Sequence, residues 1–366
     1  MNHASIKRSN ERQRLPFQLR KAPRANGFGI AQGYAFQIIS KLQKNPVFED
    51  QLSMESFKPL SAKSTTDLFE SIRRERGLLG PFVQLTKPRL SMMSVASAVF
   101  GYFSAAPQER NTLLFLSLLA GTALAAAGAA ALNQWMEIKE DALMRRTADR
   151  PLPAGDVKPM HALLVGLLTS VAGLTILALG TNLPAMLLTL GVLFFYLALY
   201  TPMKKSTPLA TEAGAVSGAL PPLLGYVAAT GSVLAGSFYG WLLFAILFAW
   251  QMPHFMAISW MHREDYRQAG FRMLAHEDRG AARVGRKSLL YTLLLVALTF
   301  VPAFKAGSGT STWYLCLNGL LSAYLLYQAV RFLHPENKEA HARSLFYATI
   351  LHLPVFMILF ALDRYI

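Results

Sequence analysis

The chain of 366 residues has a single cysteine and few charged residues, and each shortage excludes a class of protein. Cys316 has no second cysteine with which to form an internal disulfide, and it fits no metal-ligand spacing. Charged residues make up 16% of the sequence, whereas 53% are hydrophobic. Since soluble domains average about 25% charged residues, the composition predicts a protein that crosses a membrane several times.

Apolar stretches of about 20 residues, long enough to cross a hydrocarbon core of about 30 Å, recur along the chain. Nine are predicted, at residues 90–106, 112–134, 160–179, 183–200, 209–230, 237–259, 288–304, 312–332 and 344–362. Pro221 and Pro222 lie inside the fifth and predict a broken or kinked helix there. The expected fold class is all-α, a polytopic membrane bundle of about nine transmembrane helices around a central cavity.

Lysine and arginine collect in alternate connections, as expected when one face of the membrane carries the positive loops. Those that follow the second, fourth, sixth and eighth spans are Lys139, Arg145, Arg146, Arg150, Lys158, Lys204, Lys205, Arg263, Arg267, Arg272, Arg279, Arg283, Arg286, Lys287, Lys338 and Arg343. The intervening connections contain only Arg110 and Lys305. The net charge of +15 is therefore attributed to loops and tail, and no nucleic-acid partner is expected.

Residues 1–85 are predicted to form a basic, disordered extension that precedes a transmembrane domain at 86–366. Glu11 is the only acid in this extension up to Lys44. One interpretation is a mitochondrial presequence, another is a disordered cytoplasmic segment that touches anionic lipid, and a third is a wrongly chosen upstream start codon. Because the segment has little amphipathic period, a bacterial inner membrane is favoured over a mitochondrial inner membrane.

The stretch "NQWMEIKEDALMRRTADRPLP" follows the second span and spaces polar residues four apart. Asn133, Glu137 and Asp141 would lie within about 80° on one helical face. Their oxygens are of the hard type that Mg²⁺ prefers, while Arg146 and Arg150 suit phosphate oxygens. The alternative is an ordinary solvated loop in which acids and bases balance.

Two further polar clusters end other spans on the same predicted face. In "YTPMKKST", Tyr200 is followed by Lys204 and Lys205, which alternatively serve only as the positive-inside signal. The third cluster, "WQMPHFMAISWMHREDYRQAG", has the candidate residues Trp250, Gln251, His254, Asp265, Tyr266 and Arg267. Polar groups at membrane-helix ends usually face a cavity or a partner, so the three clusters predict a site for a polyvalent anion held through a metal ion. For His254 the alternative is a hydrogen-bonded core histidine, and for Asp265 it is a surface pair with Arg263 or Arg267.

These motifs, with "TEAGAVSGALPPLLGY" between them, resemble in order those of the protohaem IX farnesyltransferases, or haem O synthases, within the UbiA-like intramembrane prenyltransferases. The resemblance covers roughly residues 84–362. It implies an enzyme that, with Mg²⁺, transfers a farnesyl group from farnesyl diphosphate to the 2-vinyl group of haem b. Water then adds to give haem O, which makes a downstream haem A synthase an expected partner.

The resemblance also implies roles for individual residues. Those expected to bind the metal and the diphosphate are Asn133, Glu137, Asp141 and Asp265, and the basic residues expected to face the diphosphate are Arg146, Arg150 and Lys204. Further substrate contacts are expected from Tyr200, Lys205 and Tyr266. The residues that match the haem-synthase signature are Trp250, Gln251, Pro253 and His254. Glu137 stands where many relatives have Asp, and Ala269 where many have a second acid. His254 is expected to ligate haem iron, bond a propionate or orient Gln251.

Two other functions are compatible with the sequence. A related prenyltransferase could act on a quinone precursor or another aromatic acceptor, although the "WQMPHF" signature argues against it. A secondary transporter would also have polar intramembrane sites and broken helices. The placement of nearly every acid at one face, with no charge pair evident near the midplane, argues against transport.

Overall fold

The computed structural model describes residues 79–106, 111–278, 282–305 and 309–365. Within these ranges the secondary structure is helical and contains no strand, which confirms the all-α prediction. The α-helices of this part of the chain are α1 (Leu79–Leu85), α2 (Pro88–Ser104), α3 (Thr112–Met136), α4 (Ile138–Asp141), α5 (Pro159–Gly180), α6 (Leu183–Leu193), α7 (Ala210–Thr230), α8 (Phe238–Met261), α9 (Arg263–Gln268), α10 (Leu274–Glu277), α11 (Ala282–Phe304), α12 (Thr312–Arg331) and α13 (Lys338–Tyr365). Helix α6 continues through a π-helical segment, Phe194–Tyr200, and a last turn, Thr201–Met203.

The long helices of the described residues coincide with the nine predicted spans. Seven of them are long and apolar enough to cross a membrane, which confirms a polytopic membrane bundle. The other two are α2, which has 17 residues, and α12, which has 20. That these two also cross, giving nine crossings, stays a prediction.

Several helix starts follow from local sequence. Asn111 and Asn182 precede α3 and α6, and their side chains accept hydrogen bonds from Leu114 N and Ala185 N at 3.0 and 2.9 Å. Proline opens α2 and α5, where its missing N–H has no intrahelical partner to lose. Short loops can therefore reverse the chain between long apolar helices.

Of the broken or kinked helix predicted in the fifth span, the break is wrong, because α7 runs from Ala210 to Thr230 with Pro221 and Pro222 inside it. A kink there stays a prediction. Each proline removes one helical N–H donor, but residues 219–228 are buried throughout, and α7 packs against α2 and α8 on either side. These contacts hold the helix together across the two prolines. A departure from α-helical geometry is found in the π-helical segment after α6.

Helices α7 and α8 are the most buried of the seven apolar spans. The crossing of α7 with α2 depends on two glycines. A Cβ built on Gly101 would lie 1.8 Å from Pro222 O, and one on Gly225 would lie 1.7 Å from Ala98 O. The two backbones are thus in direct contact where α2 and α7 cross.

The predicted domain boundary near residue 85 stays a prediction. Helix α1 is already part of the bundle, since Leu85 is fully buried beside Ala131 and Leu152 and its carbonyl accepts from Gln134 Nε2 at 2.7 Å. The rest of the predicted extension, residues 1–78, lies outside the described residues.

The helix crossing predicts opposite effects for two glycine substitutions. Gly225→Ala should lower the unfolding temperature of the purified protein, because overpacking of this kind typically costs about 1–3 kcal/mol. Gly191→Ala is the matched control, since its Cβ would meet only Leu220 Cδ1 at 3.9 Å and alanine favours a helix over glycine. Thermal unfolding of both variants in detergent checks this, and equal stabilities would contradict the close crossing.

Candidate active site

The first acid-rich stretch lies where α3 stops. Helix α3 ends at Met136, and Glu137 leaves helical geometry at φ −107° and ψ 19° before α4 begins. The Glu137 N–H still donates to Asn133 O at 3.1 Å and the Asp141 N–H to Glu137 O at 2.8 Å, so the four-residue spacing is kept although the single helix predicted there is interrupted at Glu137. Asn133, Glu137 and Asp141 are nonetheless all buried, and Asn133 Nδ2 donates to Glu137 Oε2 at 3.1 Å.

Each of these buried carboxylates has its own cation. Lys204 Nζ donates to Glu137 Oε1 and Oε2 at 2.8 and 3.0 Å. Arg150 Nη1 donates to Asp141 Oδ1 and Oδ2 at 2.8 and 2.6 Å. These ion pairs exclude the solvated-loop alternative for these four residues, since Glu137, Asp141 and Lys204 are all less than a tenth exposed.

The π-helical segment positions the basic residues of the second cluster. Pro202 has no N–H to donate to the carbonyl of Ala198, and the N–H of Thr201 bonds to Tyr196 O five residues back. The altered register brings Thr201 Oγ1 within 3.1 Å of Asn133 Nδ2 and places Lys204 Nζ 4.4 Å from the centre of the Tyr200 ring. The only signal of this π-helical segment in the sequence was Pro202, which follows a run of aromatic residues.

Lys204 and Lys205 therefore have different surroundings. Burial lowers the pKa of Lys204, but Tyr200 and Glu137 outweigh this effect and raise its pKa above the ordinary lysine value. Lys205 is half exposed and pairs with Glu140 at 2.6 Å, on the outer side of the same turn. The positive-inside interpretation is sufficient for Lys205, whereas Lys204 belongs to the buried site.

Sequence reasoning missed Lys87, which lies between α1 and α2. Its Nζ donates to Asn133 Oδ1 at 3.2 Å, and its backbone has φ 45°, in the left-handed region that few lysines adopt. Burial of the ammonium group, with Arg150 and Lys204 nearby, lowers the pKa of Lys87 to about 7. A lysine directly before the Pro that opens a span was the available signal. Lys87, Asn133, Glu137, Asp141, Arg150, Thr201 and Lys204 are called the polar cluster below.

The third stretch is tied to the first two by main-chain and apolar contacts. The N–H of Arg272 donates to Lys204 O at 2.7 Å. Tyr266 packs with a small apolar group that joins the first and third connections, namely Met144, Ala269, Phe271 and Met273. Arg146 lies over the Tyr266 ring at 6.0 Å, and burial raises the pKa of Tyr266. The predicted convergence of the three clusters on one face is seen in these contacts.

Asp265 lies in α9, beside this junction. Burial and nearby Arg146 lower the pKa of His262, while Asp265 acts in the opposite direction. The predicted alternative, a pair with Arg263 or Arg267, is wrong: Arg263 Nη1 bonds Glu339 at 3.2 Å, and Arg267 bonds Glu264. In the described part of the chain the Asp265 carboxylate has no ion pair of its own.

The aromatic signature is not part of the polar cluster. Trp250, Gln251 and His254 lie within α8, and Met261 ends that helix seven residues, or about 10 Å, beyond His254. Gln251 Nε2 donates to Ala215 O and Leu247 O, both at 3.1 Å, so this amide joins α7 to α8. Trp250 Nε1 donates to Thr349 O at 2.8 Å and joins α8 to α13.

The ring of His254 is held between two aromatic rings. Trp250 lies 4.8 Å and Phe346 5.0 Å from it, both nearly parallel. Its Nδ1 lies 2.8 Å from Thr349 Oγ1, and the Thr349 hydroxyl donates to Phe346 O at 2.6 Å. Since that hydroxyl has one proton, Nδ1 of His254 must be the donor to Thr349. Neutral His254 then has its lone pair on Nε2, and it bonds Thr349 rather than Gln251.

Two cavities found among the described residues lie away from the polar cluster. One, of about 430 Å³, is lined by Pro208, Leu209, Leu274, Glu277, Arg283 and Lys287. The other, of about 550 Å³, lies at the opposite ends of the helices around Trp241 and Leu298. Neither is the predicted central cavity, which stays a prediction.

The polar cluster matches the donor chemistry of Mg²⁺ in part. Asn133, Glu137 and Asp141 offer amide and carboxylate oxygens, the hard ligands that Mg²⁺ prefers. Within the described residues, however, no group of three His, Cys, Asp or Glu side chains is arranged to hold a metal. The residues therefore fit an ion that takes its remaining ligands from substrate phosphates and water, which is the usual arrangement for Mg²⁺.

The comparison with protein families is decisive. Residues 94–351 match the UbiA prenyltransferase family. The chain belongs to this family. The transporter alternative is left without support, and the predicted intramembrane prenyltransferase is confirmed.

Within this family, the chain is similar to several curated protoheme IX farnesyltransferases. The chain is 42% identical over 284 residues to the protoheme IX farnesyltransferase of Opitutus terrae, covering 77% of this chain and 94% of the relative. It is 41% identical to that of Solibacter usitatus, covering 77% and 98%. A mitochondrial protoheme IX farnesyltransferase of Pyricularia oryzae is 37% identical, with 81% of this chain and 56% of the relative covered. The predicted resemblance to these farnesyltransferases is confirmed.

Solved structures share the fold. A digeranylgeranylglyceryl phosphate synthase structure has a TM-score of 0.67 at 17% identity, covering 78% of this chain and 98% of the other. A UbiA homolog from Aeropyrum pernix has a TM-score of 0.59 at 20% identity, covering 74% and 98%. A homolog from Archaeoglobus fulgidus, solved with GPP and Mg²⁺, has a TM-score of 0.53 at 15% identity, covering 76% and 99%. At these identities the likeness shows the fold alone.

The pKa of Lys87 predicts a pH dependence of anion binding. Lys87 is positive below about pH 7 and loses its charge as the pH rises, so affinity for a prenyl diphosphate analogue should fall between pH 6 and 8.5. Loss of one charged hydrogen bond, about 1.5 kcal/mol or more, corresponds to about tenfold. Calorimetric titration of the native protein and of Lys87→Arg measures this fall.

Lys87→Arg is the matched control because arginine stays charged across this range. The titration of the diphosphate itself is common to both proteins and cancels in their ratio. Identical pH profiles for the native protein and Lys87→Arg would show that Lys87 does not face the anion.

Proposed function

We propose that the chain is a protohaem IX farnesyltransferase that converts haem b, farnesyl diphosphate and water to haem O and diphosphate. The observation that carries the proposal is the polar cluster, in which three cations, Lys87, Arg150 and Lys204, surround two buried carboxylates at the helix ends. Its net positive charge suits a polyanion. The bacterial relatives named protoheme IX farnesyltransferase, similar over nearly their whole length, support this choice of substrates.

The basic residues of the chain hold the diphosphate. Lys204 and Arg150 are already fixed by Glu137 and Asp141, so their charges are oriented before the substrate arrives. Departure of diphosphate from the allylic carbon moves negative charge onto the leaving oxygens, and preorganised cations stabilise that charge more than water does. Arg146, which lies over Tyr266, would complete the contacts from the third connection.

Mg²⁺, when bound, supplies further neutralisation of the leaving diphosphate. Asn133, Glu137, Asp141 and Asp265 would hold it. The GPP and Mg²⁺ present in the Archaeoglobus fulgidus homolog support a requirement for Mg²⁺. Asp265 has no ion pair among the described residues and is therefore available to a metal. Glu137 and Asp141 keep lone pairs beyond those used by Lys204 and Arg150.

The aromatic signature is assigned to the acceptor. Trp250 and Phe346 stack on the His254 ring at 18° and 22°, and the Nε2 lone pair lies in the plane of that ring, where it can face an iron atom. Nδ1 of His254 is tied to Thr349, and metal-binding histidines usually have their second nitrogen fixed in this way. We assign the free Nε2 lone pair to haem iron, in preference to a propionate contact.

The reaction needs no protein nucleophile. Once the C–O bond breaks, the farnesyl cation is attacked by the electron-rich vinyl group of the haem. The apolar interior around Trp250 and Phe346 excludes water that would otherwise trap the cation early. The protein thus supplies charge at one end of the bundle and apolar walls along the rest.

The protein is an integral membrane protein of several spans. A bacterial inner membrane is favoured, since the bacterial relatives are covered over 94% and 98% of their length. A haem A synthase would use the product in the same membrane.

Substitution of two acids tests the metal site. Asp141→Asn and Asp265→Asn should each lower farnesyl transfer by several orders of magnitude, and the double variant should lose little more, because residues that act as a unit are non-additive. Glu264→Gln is the matched control, since Glu264 is an exposed neighbour of Asp265 that pairs with Arg267. Rates measured against Mg²⁺ concentration give the comparison.

A small, additive effect of Asp265→Asn would remove that residue from the site. Full activity of Asp141→Asn at saturating Mg²⁺ would remove the first motif. Glu264→Gln should behave as the native enzyme, since exposed ion pairs contribute about 0–1 kcal/mol.

The haem content of membranes tests the function itself. The chain, expressed in cells that lack haem O, should produce it, and the purified protein should form it from haem b and farnesyl diphosphate. In the same reaction 4-hydroxybenzoate offers the acceptor of the alternative prenyltransferase. Prenylated benzoate without farnesylated haem would replace the proposed function with the alternative.

A further inference from the structure

His352 is a buried imidazole to which the proposed mechanism gives no role. It lies in α13, its side chain is 1% exposed, and neither Nδ1 nor Nε2 has a hydrogen-bond partner among the described residues. Its ring stacks on Phe356 at 6.3 Å with the planes 8° apart. Buried polar groups are nearly always hydrogen-bonded, and one left unpaired costs about 1–3 kcal/mol. Two unpaired ring nitrogens therefore call for a ligand.

Another unpaired polar group, that of Ser322, lies at the same level as His352 along the neighbouring helix. Ser311 N donates to Asp363 Oδ1 at 2.8 Å, which fixes the register of antiparallel helices α12 and α13. From that contact, Ser322 is eleven residues along α12 and His352 is eleven residues back along α13, about 16 Å in each case.

The buried faces of these two helices carry the unpaired atoms. Ser322 Oγ is buried without a partner, as is Asn318 Oδ1 one turn earlier in α12. Helices α12 and α13 pack along each other. A buried water needs two to four polar partners, and ring nitrogens, a hydroxyl and an amide oxygen are partners of the required kind.

This group adjoins the acceptor site. Thr349, which holds Nδ1 of His254, lies three residues before His352 in α13. Side chains three apart in a helix are neighbours, with Cβ atoms about 5–6 Å apart. A water held by His352 is thus one helical turn from the aromatic rings assigned to the porphyrin.

We propose that His352, with Ser322 and Asn318, binds the water that adds to the farnesylated vinyl group and accepts its proton. The proposal rests on the proposed function, because only an acceptor vinyl group requires this step. It assigns a hydration site distinct from the polar cluster at the helix ends.

The step balances as follows. The C–O bond of farnesyl diphosphate breaks, and its electron pair leaves with diphosphate. The vinyl π electrons form the new C–C bond from the terminal carbon and leave a cation on the carbon next to the porphyrin ring. A lone pair of the bound water forms a C–O bond to that carbon, and the released proton moves to a ring nitrogen of His352. Without this water the cation loses a proton from its neighbouring carbon, giving an alkene that is one water lighter.

The ratio of the two products tests the proposal. His352→Leu should shift the product from the hydroxylated haem to the lighter alkene, because hydration without a positioned base should slow by about 10²-fold. Mass spectrometry of haem from purified enzyme, haem b and farnesyl diphosphate in H₂¹⁸O measures both products. Ser322→Ala, in the facing helix, should shift the ratio in the same direction and serves if His352→Leu does not fold.

Phe356→Leu is the matched control, since it removes the stacking partner of His352 and leaves the imidazole in place. It should lower stability while the product ratio stays that of the native enzyme. An unchanged ratio in both His352→Leu and Ser322→Ala, whatever their rates, would overturn the hydration site. If the native protein forms no farnesylated haem of either kind, the proposed function fails instead, and the two failures are thereby distinguished.

Discussion

The pairing of Glu137 with Lys204, and of Asp141 with Arg150, is the constraint on which the candidate site depends. Carboxylates that are 4% exposed or less cannot remain charged in an apolar bundle without close cations, because removing an ion from water costs several kcal/mol. The pair of Glu137, at the end of α3, with Lys204, after α6, joins elements 67 residues apart, whereas Asp141 and Arg150 lie nine residues apart in one connection. The ion pairs thus hold the helix ends in one arrangement.

Such pairs are poor sources of stability, since an apolar replacement of the same shape is often equally stable. Their value here is orientation. A lysine or arginine that is held by a carboxylate keeps part of its charge free for an anion and loses little side-chain freedom when the anion binds. Lys87 differs, because its nearest partner is the amide oxygen of Asn133. With its pKa near neutrality, it is the cation whose charge responds most to an arriving diphosphate.

The sequence was sufficient for the overall architecture because apolar length and loop charge both report on the membrane. The nine predicted spans coincide with the nine long helices of the described residues, and four-residue spacing correctly grouped Asn133, Glu137 and Asp141. It failed where tertiary contacts override local preference. Paired prolines predicted a break in α7 that packing by α2 and α8 prevents, whereas the π-helical segment before Lys204 has only Pro202 as a local cause. Lys87 was missed because its role depends on a contact with Asn133, 46 residues away, that no local pattern in the sequence reports.

The diphosphate site could be predicted from the sequence, whereas the acceptor site could not. Charges at the helix ends are visible in a sequence, since ionisable residues are rare in membrane spans and their spacing is regular. The acceptor side is built from hydrogen bonds between helices that lie about a hundred residues apart, such as Trp250 Nε1 and His254 Nδ1 with Thr349. The protonated nitrogen of His254 follows only from the single proton of the Thr349 hydroxyl, which is already donated to Phe346 O. A motif could therefore nominate His254, but its free lone pair, and the unpaired imidazole of His352 one turn away, became apparent only when α8, α12 and α13 were placed together.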